Sequence, residues 1–374
     1  MYLSLQACRA LAALLVVFFH VGTTLNRDVY LGHAADLVRQ LSSFGDAGVA
    51  FFFVLSGFIV TRVHLPDFNQ PARLPAYLLK RAARIYPMYW LVFAATCLLV
   101  WLLPASRTTL PADAPTLIKA LLLIPQDPSV VGGTGAPVVF VAWTLQYEMV
   151  FYAAMALALI QRWLLLMPLG LFLIHRLSYT PGDGFVQDFF ANDLLYLFGM
   201  GAGLAMLSNR PWRLSAGQAR AVVALAMLAF IALAAWEGWT FPATNRTHRT
   251  LLFGGIGTIG ILGLTHLEDA GWRPAPDSLL VRLGHASYAL YLIHVAVMSL
   301  LSKVVTTLSQ HAGPFTPFGP AAAMGSAVLI VVACAASAMF VHRHIEQPLM
   351  QRLNRAITRW TGRPKTTPSQ ASSV

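Results

Sequence analysis

The chain runs to 374 residues, of which 57% are hydrophobic and only 11% charged, with a formal net charge of +11. Soluble domains carry about 25% charged residues, so this composition, spread over long apolar runs from end to end, excludes a soluble fold and gives one all-α, polytopic integral membrane protein. Nucleic-acid binding is excluded with it, because no soluble basic domain carries the positive charge.

The first apolar segment covers roughly 10–25. No basic cluster precedes Arg9 and no small-residue cleavage site follows His20, so it reads as a retained span rather than a removed signal peptide. Further spans follow at roughly 45–62, 86–104, 138–161, 163–177, 188–207, 219–236, 250–267, 285–304 and 321–341, making about ten transmembrane helices. The fifth is short, and only Gln161 and Arg162 separate it from the fourth. Before the fourth, the Pro- and Gly-rich stretch at about 105–137 holds TLIKALLLIP, which is too short to cross and reads as an interfacial or re-entrant helix in an external loop.

The membrane domain is taken as 1–345, and residues 346–374 as a cytoplasmic tail whose polar end, after about 360, is disordered. With the N-terminus in the cytoplasm, basic residues favour that side roughly two to one, so the positive-inside rule puts both termini there. Cys8, Cys97 and Cys334 show neither pairing pattern nor metal-ligand spacing, and they read as small core residues with no metal site implied.

Ionisable groups inside spans are expensive and mark function. His20, in RALAALLVVFFHVG, lies eleven residues past Arg9, about 16 Å along a helix; Glu148, in WTLQYE, is about 21 Å from Arg162; His294, in SYALYLIH, is about 15 Å beyond Gly284. These depths place the three in one central layer. A carboxylate from Glu148 on one imidazole nitrogen of His20 would fix the tautomer and free the other nitrogen to take a proton. Ser56 and Gly57, in FFFVLSGF, form a small pair that lets a helix or a ligand approach closely. In KRAARIYP, Arg81 and Arg84 share a helical face by their i, i+3 spacing and suit a polyanionic phosphate ligand.

Together these stretches, with Ser287 and Tyr291 in SYALYLIH and Glu346 and Pro348 in IEQP, resemble the membrane-bound acyltransferase-3 family, especially bacterial members that acetylate surface and exported polysaccharides. The resemblance implies a ten-helix enzyme of the bacterial inner membrane. Such an enzyme takes an acyl group, commonly acetyl, from cytoplasmic acyl-CoA and places it on a hydroxyl at the outer side. It implies activity through Arg9 and His20 and donor handling by Arg81 and Arg84. Ala50 stands where members often carry a polar residue, and the hydrolase-like domain that some relatives append does not follow the tenth span.

The resulting expectation is an O-acyltransferase with acetyl-CoA as co-substrate and no tightly bound cofactor. His20 and Glu148 would be catalytic, Arg9, Arg81 and Arg84 would hold the donor, and Ser56, Trp143, Tyr291 and His294 would shape the substrate pocket. The acceptor would be a polysaccharide or lipid-linked saccharide. Direct transfer and an acyl-histidine intermediate both fit. Two alternatives are a proton-coupled secondary transporter using His20 and Glu148 as a relay, and the same chemistry on a lipid, antibiotic or glucan.

Overall fold

The computed structural model describes residues 2–102, 110–111, 113–180, 182, 184–209, 213–240, 249–311 and 319–361. The tail beyond 361 and part of the 105–137 loop lie outside them. The described residues form helices and no strand. The principal helices are α1 (Leu3–Leu25), α2 (Ala47–His64), α3 (Leu74–Leu102), α4 (Ala114–Leu121), α5 (Trp143–Ile160), α6 (Leu166–Ser178), α7 (Leu194–Leu207), α8 (Ala216–Thr240), α9 (Arg249–Asp269), α10 (Leu279–His285), α11 (Ser287–His311), α12 (Pro320–Val341) and α13 (Gln347–Trp360).

Among the described residues, nine helical segments are long and apolar enough to cross a membrane, and α6 is not among them. Side-chain contacts nevertheless require α6 to cross. Tyr2 Oη donates to Asp269 Oδ1 (3.0 Å) and accepts from Arg62 Nη2 (2.8 Å), while Arg213 Nη1 donates to Asp269 Oδ2 (3.0 Å). These four residues therefore share one end of the bundle, and the chain must cross an even number of times between Arg62 and Arg213. Three long segments lie in that interval, so α6 supplies the fourth crossing and brings the total to the expected ten. Its 13 residues extend only roughly 20 Å, and the turn Arg162–Leu165 before it adds length.

At that same end Glu268 caps α1. Tyr2, at the N-cap position, makes no capping bond with its side chain. Instead Glu268 accepts from Leu3 N (2.8 Å), Ser4 N (2.9 Å) and Ser4 Oγ (2.5 Å), so its carboxylate satisfies orphan amides and opposes the positive helix end. At the opposite end Arg249 forks between Asp46, with Nη1 to Oδ2 at 2.5 Å and Nη2 to Oδ1 at 2.8 Å, and Glu237, which it meets through Nε and Nη2. This partly buried ion triad ties α9 to α8 and to the start of α2.

Two apolar clusters fill the bundle. One joins α2, α3, α5, α7 and α9, and the other joins α1, α11 and α12. The crossing of α2 and α7 depends on two glycines, because a Cβ at Gly57 would strike Phe198 O and one at Gly201 would strike Val54 O. Gly57 thus belongs to helix packing.

Helix α4 is re-entrant. Asp113 caps its start by accepting from Thr116 N (2.8 Å). Its last carbonyls are taken by three aromatic donors of α3: Tyr89 Oη to Ala120 O (2.7 Å), Trp90 Nε1 to Leu121 O (2.9 Å) and Tyr86 Oη to Leu122 O (3.0 Å). Tyr86 is twelve residues into α3, about 18 Å along it, so α4 ends at membrane depth, where unsatisfied carbonyls would be costly. The chain returns past Val138, a β-branched residue held at φ 70°, to Phe140 and the start of α5.

Within the expected cytoplasmic tail, residues 347–360 form helix α13. Glu346 is buried, and Leu349, Leu353 and Ile357 recur every fourth residue, giving an apolar stripe that packs α13 on α3. A five-residue π-helical segment, His342–Glu346, joins α12 to α13.

Candidate active site

A cavity of about 860 Å³ enters the bundle beside α13. Along α2 its wall runs from Val60 to Val49, about 16 Å of helix. Ser56 is part of that wall, and Phe52, Phe53 and Ile59 make this region apolar. The other expected residues lining it are Arg9, Arg81, Arg84, Glu148 and Tyr291. Trp143 does not line it and packs edge-on against Tyr147, with centroids 6.1 Å apart.

Three guanidiniums are held in different ways. Arg9 donates through Nε (3.2 Å) and Nη2 (3.0 Å) to Ser287 Oγ, leaving Nη1 uncommitted to that hydroxyl. Arg84 Nη1 donates to Glu346 Oε1 (2.9 Å), with its Cζ 4.9 Å from the centroid of the Tyr288 ring. Glu346 also accepts from His342 Nδ1 (2.7 Å). Arg81 lies over the Tyr152 ring, and its buried Nε has no hydrogen-bond partner. Arg9, Arg81 and Arg84 thus line one cavity, and guanidinium groups gathered in this way are the donor set that suits a polyanion.

Glu148 belongs to this lower chamber, not to the layer of His20. Its Oε1 accepts a 2.5 Å hydrogen bond from Tyr152 Oη, and it lines the cavity with the arginines. The expected hydrogen bond to His20 is absent. The depth estimate failed because its two reference points differ in height: Arg9 is already six residues inside α1, about 9 Å, whereas Arg162 lies beyond the end of α5. A carboxylate beside guanidiniums and a phenol is better compensated than one beside a neutral imidazole.

The partner of His20 is His294. His294 Nδ1 lies 3.1 Å from Leu290 O and 2.8 Å from Tyr291 O. Carbonyls only accept, so Nδ1 carries the proton and Nε2 the lone pair. That lone pair is 3.3 Å from His20 Nδ1, which also lies 2.9 Å from Val16 O. His20 Nδ1 is therefore protonated as well, and His20 Nε2 is left as a free proton acceptor. His294 is fully buried, His20 only partly. Phe140 stands edge-on to His20, with centroids 6.0 Å apart.

A hydroxyl bridge separates the cavity from this pair. Tyr291 Oη donates to Val141 O (2.8 Å) and lies 2.6 Å from Thr144 Oγ1. Tyr291 and Thr144 line the cavity, whereas His20 and His294 do not. The site is thus a column along α1 and α11: Arg9 with Ser287, then the Tyr291–Thr144 bridge, then His20 with His294. Sequence reasoning missed Thr144, Tyr152, His285 and His342 as site residues and gave Glu346 no role, although the i, i+4 spacing of His342 and Glu346 was there to read.

The acyltransferase domain defining the acyltransferase-3 family matches residues 2–339. The chain is 30% identical over 329 residues to the exopolysaccharide production protein ExoZ of Rhizobium meliloti (strain 1021), covering 86% of this chain and 95% of that protein. It is 24% identical over 381 residues to the acyltransferase MdmB of Streptomyces mycarofaciens, covering 94% and 92%. No solved structure matches significantly. With the expected motifs gathered around one cavity, the chain belongs to the acyltransferase-3 family of membrane acyltransferases.

Proposed function

We propose that this protein moves an acetyl group from cytoplasmic acetyl-CoA to a hydroxyl of an exported or cell-surface polysaccharide. Its membrane would be the bacterial inner membrane, with both termini in the cytoplasm. The observation that carries the reading is the column: an arginine-lined cavity at the N-terminal end leads to a hydroxyl bridge, with a lone-pair-bearing His20 directly beyond it. The polysaccharide acceptor is supported by the name of the ExoZ relative.

In this mechanism Arg9, Arg81 and Arg84 hold the donor's phosphates, and the apolar wall at Phe52 and Phe53 receives the pantetheine arm. Ser56 lines the cavity and is the hydroxyl available to donate to the developing oxyanion, while Tyr291, whose proton goes to Val141 O, shapes the passage toward His20. His20 Nε2 takes the proton of the acceptor hydroxyl as its oxygen attacks the thioester carbon; the carbon–sulfur bond breaks, and the sulfur leaves with that proton. His294 holds His20 in the required tautomer. Glu148 sets the electrostatics of the chamber, through Tyr152 and the arginines, without touching the imidazole.

The test is acetyl-CoA binding and thioester loss by purified protein, wild type beside His20→Ala. Binding in both, with loss only in wild type, is the expected result. Absence of binding and of thioester loss in folded wild-type protein would overturn the reading, and solute uptake without acyl consumption would replace it with a transporter.

A further inference from the structure

Helix α13 does more than close the bundle. Gln347, Gln351 and Asn354 line the mouth of the cavity, with Met350 among them. Their spacing, i, i+4 and i+7, places the three amides on one helical face. Asn354 is eight residues beyond Glu346, so the stripe extends about 12 Å from the ring of Arg84, Glu346 and His342. The mouth also holds Arg282 and Arg343, both exposed. Among the described residues neither forms an ion pair, and none of the three side-chain amides forms a hydrogen bond.

The charges differ along the cavity. Arg84 is met by Glu346, and Glu148 lies in the inner chamber with Arg9 and Arg81. No carboxylate lining the cavity pairs with Arg282 or Arg343. Two guanidiniums left over at the mouth match a phosphomonoester dianion, which each can bond bidentately. A row of amides beside a thioether matches the edge and the face of a purine, since amides supply both donors and acceptors.

Resting on the acyl-CoA reading above, we infer that the mouth is a nucleotide subsite in which Gln351 and Asn354 contact the adenine edge while Arg282 and Arg343 hold the 3′-phosphate. The donor is then anchored by its nucleotide end, one chamber away from its thioester.

The test compares CoA, dephospho-CoA and 4′-phosphopantetheine as ligands of the full-length protein in nanodiscs. Wild type is expected to bind CoA about tenfold or more tightly than dephospho-CoA. The R282Q/R343Q double variant is expected to erase that difference. The Q351L/N354L variant is expected to weaken both nucleotide ligands and leave 4′-phosphopantetheine unchanged. Equal binding of CoA and 4′-phosphopantetheine by wild type would overturn the subsite while leaving the donor reading intact, and it needs no variant to fold. Unchanged discrimination in a folded R282Q/R343Q protein would do the same. If folded wild type binds none of the three, the donor reading itself fails and takes the subsite with it.

Discussion

His294 Nε2 sits 3.3 Å from His20 Nδ1, although 274 residues separate the two in the chain. The contact gives His20 a defined orientation from two backbone carbonyls on α11 by way of one intervening ring. A carboxylate in that place would bring a full charge into the centre of the bundle, where it is costly. A neutral imidazole supplies the acceptor for His20 Nδ1–H without it.

His20→Ala is expected to lower kcat by about 10²–10⁴-fold while donor affinity stays at the wild-type value. His294→Ala is expected to cost less, about tenfold to a hundredfold in kcat, with an unchanged KM for the acceptor and a displaced pH–rate profile. Steady-state kinetics on both variants tests the order. Wild-type kcat in His294→Ala would mean that Val16 O alone orients His20.

The Arg84–Glu346 pair separates structural from donor-binding effects. The Glu346 side chain is 1% exposed and that of Arg84 30%, so Glu346→Ala leaves a half-buried cation without its partner. A loss of roughly 1–3 kcal/mol is expected, less than for a fully buried pair because solvent reaches Arg84. Replacing both residues by Met should recover much of the thermal stability but not donor binding. Thermal unfolding and CoA titration of the single and double variants give the two readouts.

His285 supplies a pH test outside the membrane spans. Burial first, then the positive neighbours His342, Arg9 and Arg84, hold its imidazole below the ordinary value of 6.5. Its charged form is disfavoured in the free protein, so its contribution to stability falls as pH drops through the window below 6.5. Donor phosphates would reverse that balance, so donor binding should take up protons and tighten as pH is lowered in the same window. Calorimetry at about pH 6 in two buffers of different ionisation enthalpy should show the uptake in wild type and less of it in His285→Gln.

The α2–α7 crossing makes a paired test of packing. Gly201→Ala would drive its Cβ into Val54 O and Phe58 N, whereas a Cβ at Gly203 meets nothing within 4 Å. Gly201→Ala is expected to cost about 1–3 kcal/mol and to disturb the cavity wall at Ser56. Gly203→Ala should be neutral or slightly stabilising. Thermal midpoints of the two variants decide the matter.

Much of the fold was legible because each long apolar run must find either lipid or another helix, and so the spans of α1, α2 and α9 could be placed by length alone. The short fifth span at 163–177 was legible as an apolar run, although its helix α6 has only 13 residues and falls short of the length rule, and the contact of Tyr2 with Asp269 supplies the parity that supports its crossing. Arg9, His20, Arg81 and Arg84 stood out as charges in apolar surroundings. The true partner of His20 did not, because axial depth was measured from residues at different heights. Glu346 meets Arg84 across 262 residues, and the π-helical segment that presents it leaves no mark in hydropathy.

The Tyr291–Thr144 bridge has a consequence for the cell's energetics. A conduit open from one face to the other would dissipate the membrane potential, worth about 2.3 kcal/mol per elementary charge per 100 mV. Two hydroxyls 2.6 Å apart leave no room for a water file between them, so under the proposed function this bridge closes the inner end of the donor cavity and would let a donor on one side and an acceptor on the other share a site without an open conduit. Only when a reacting group parts that bridge would the two sides communicate, and the group itself then fills the gap.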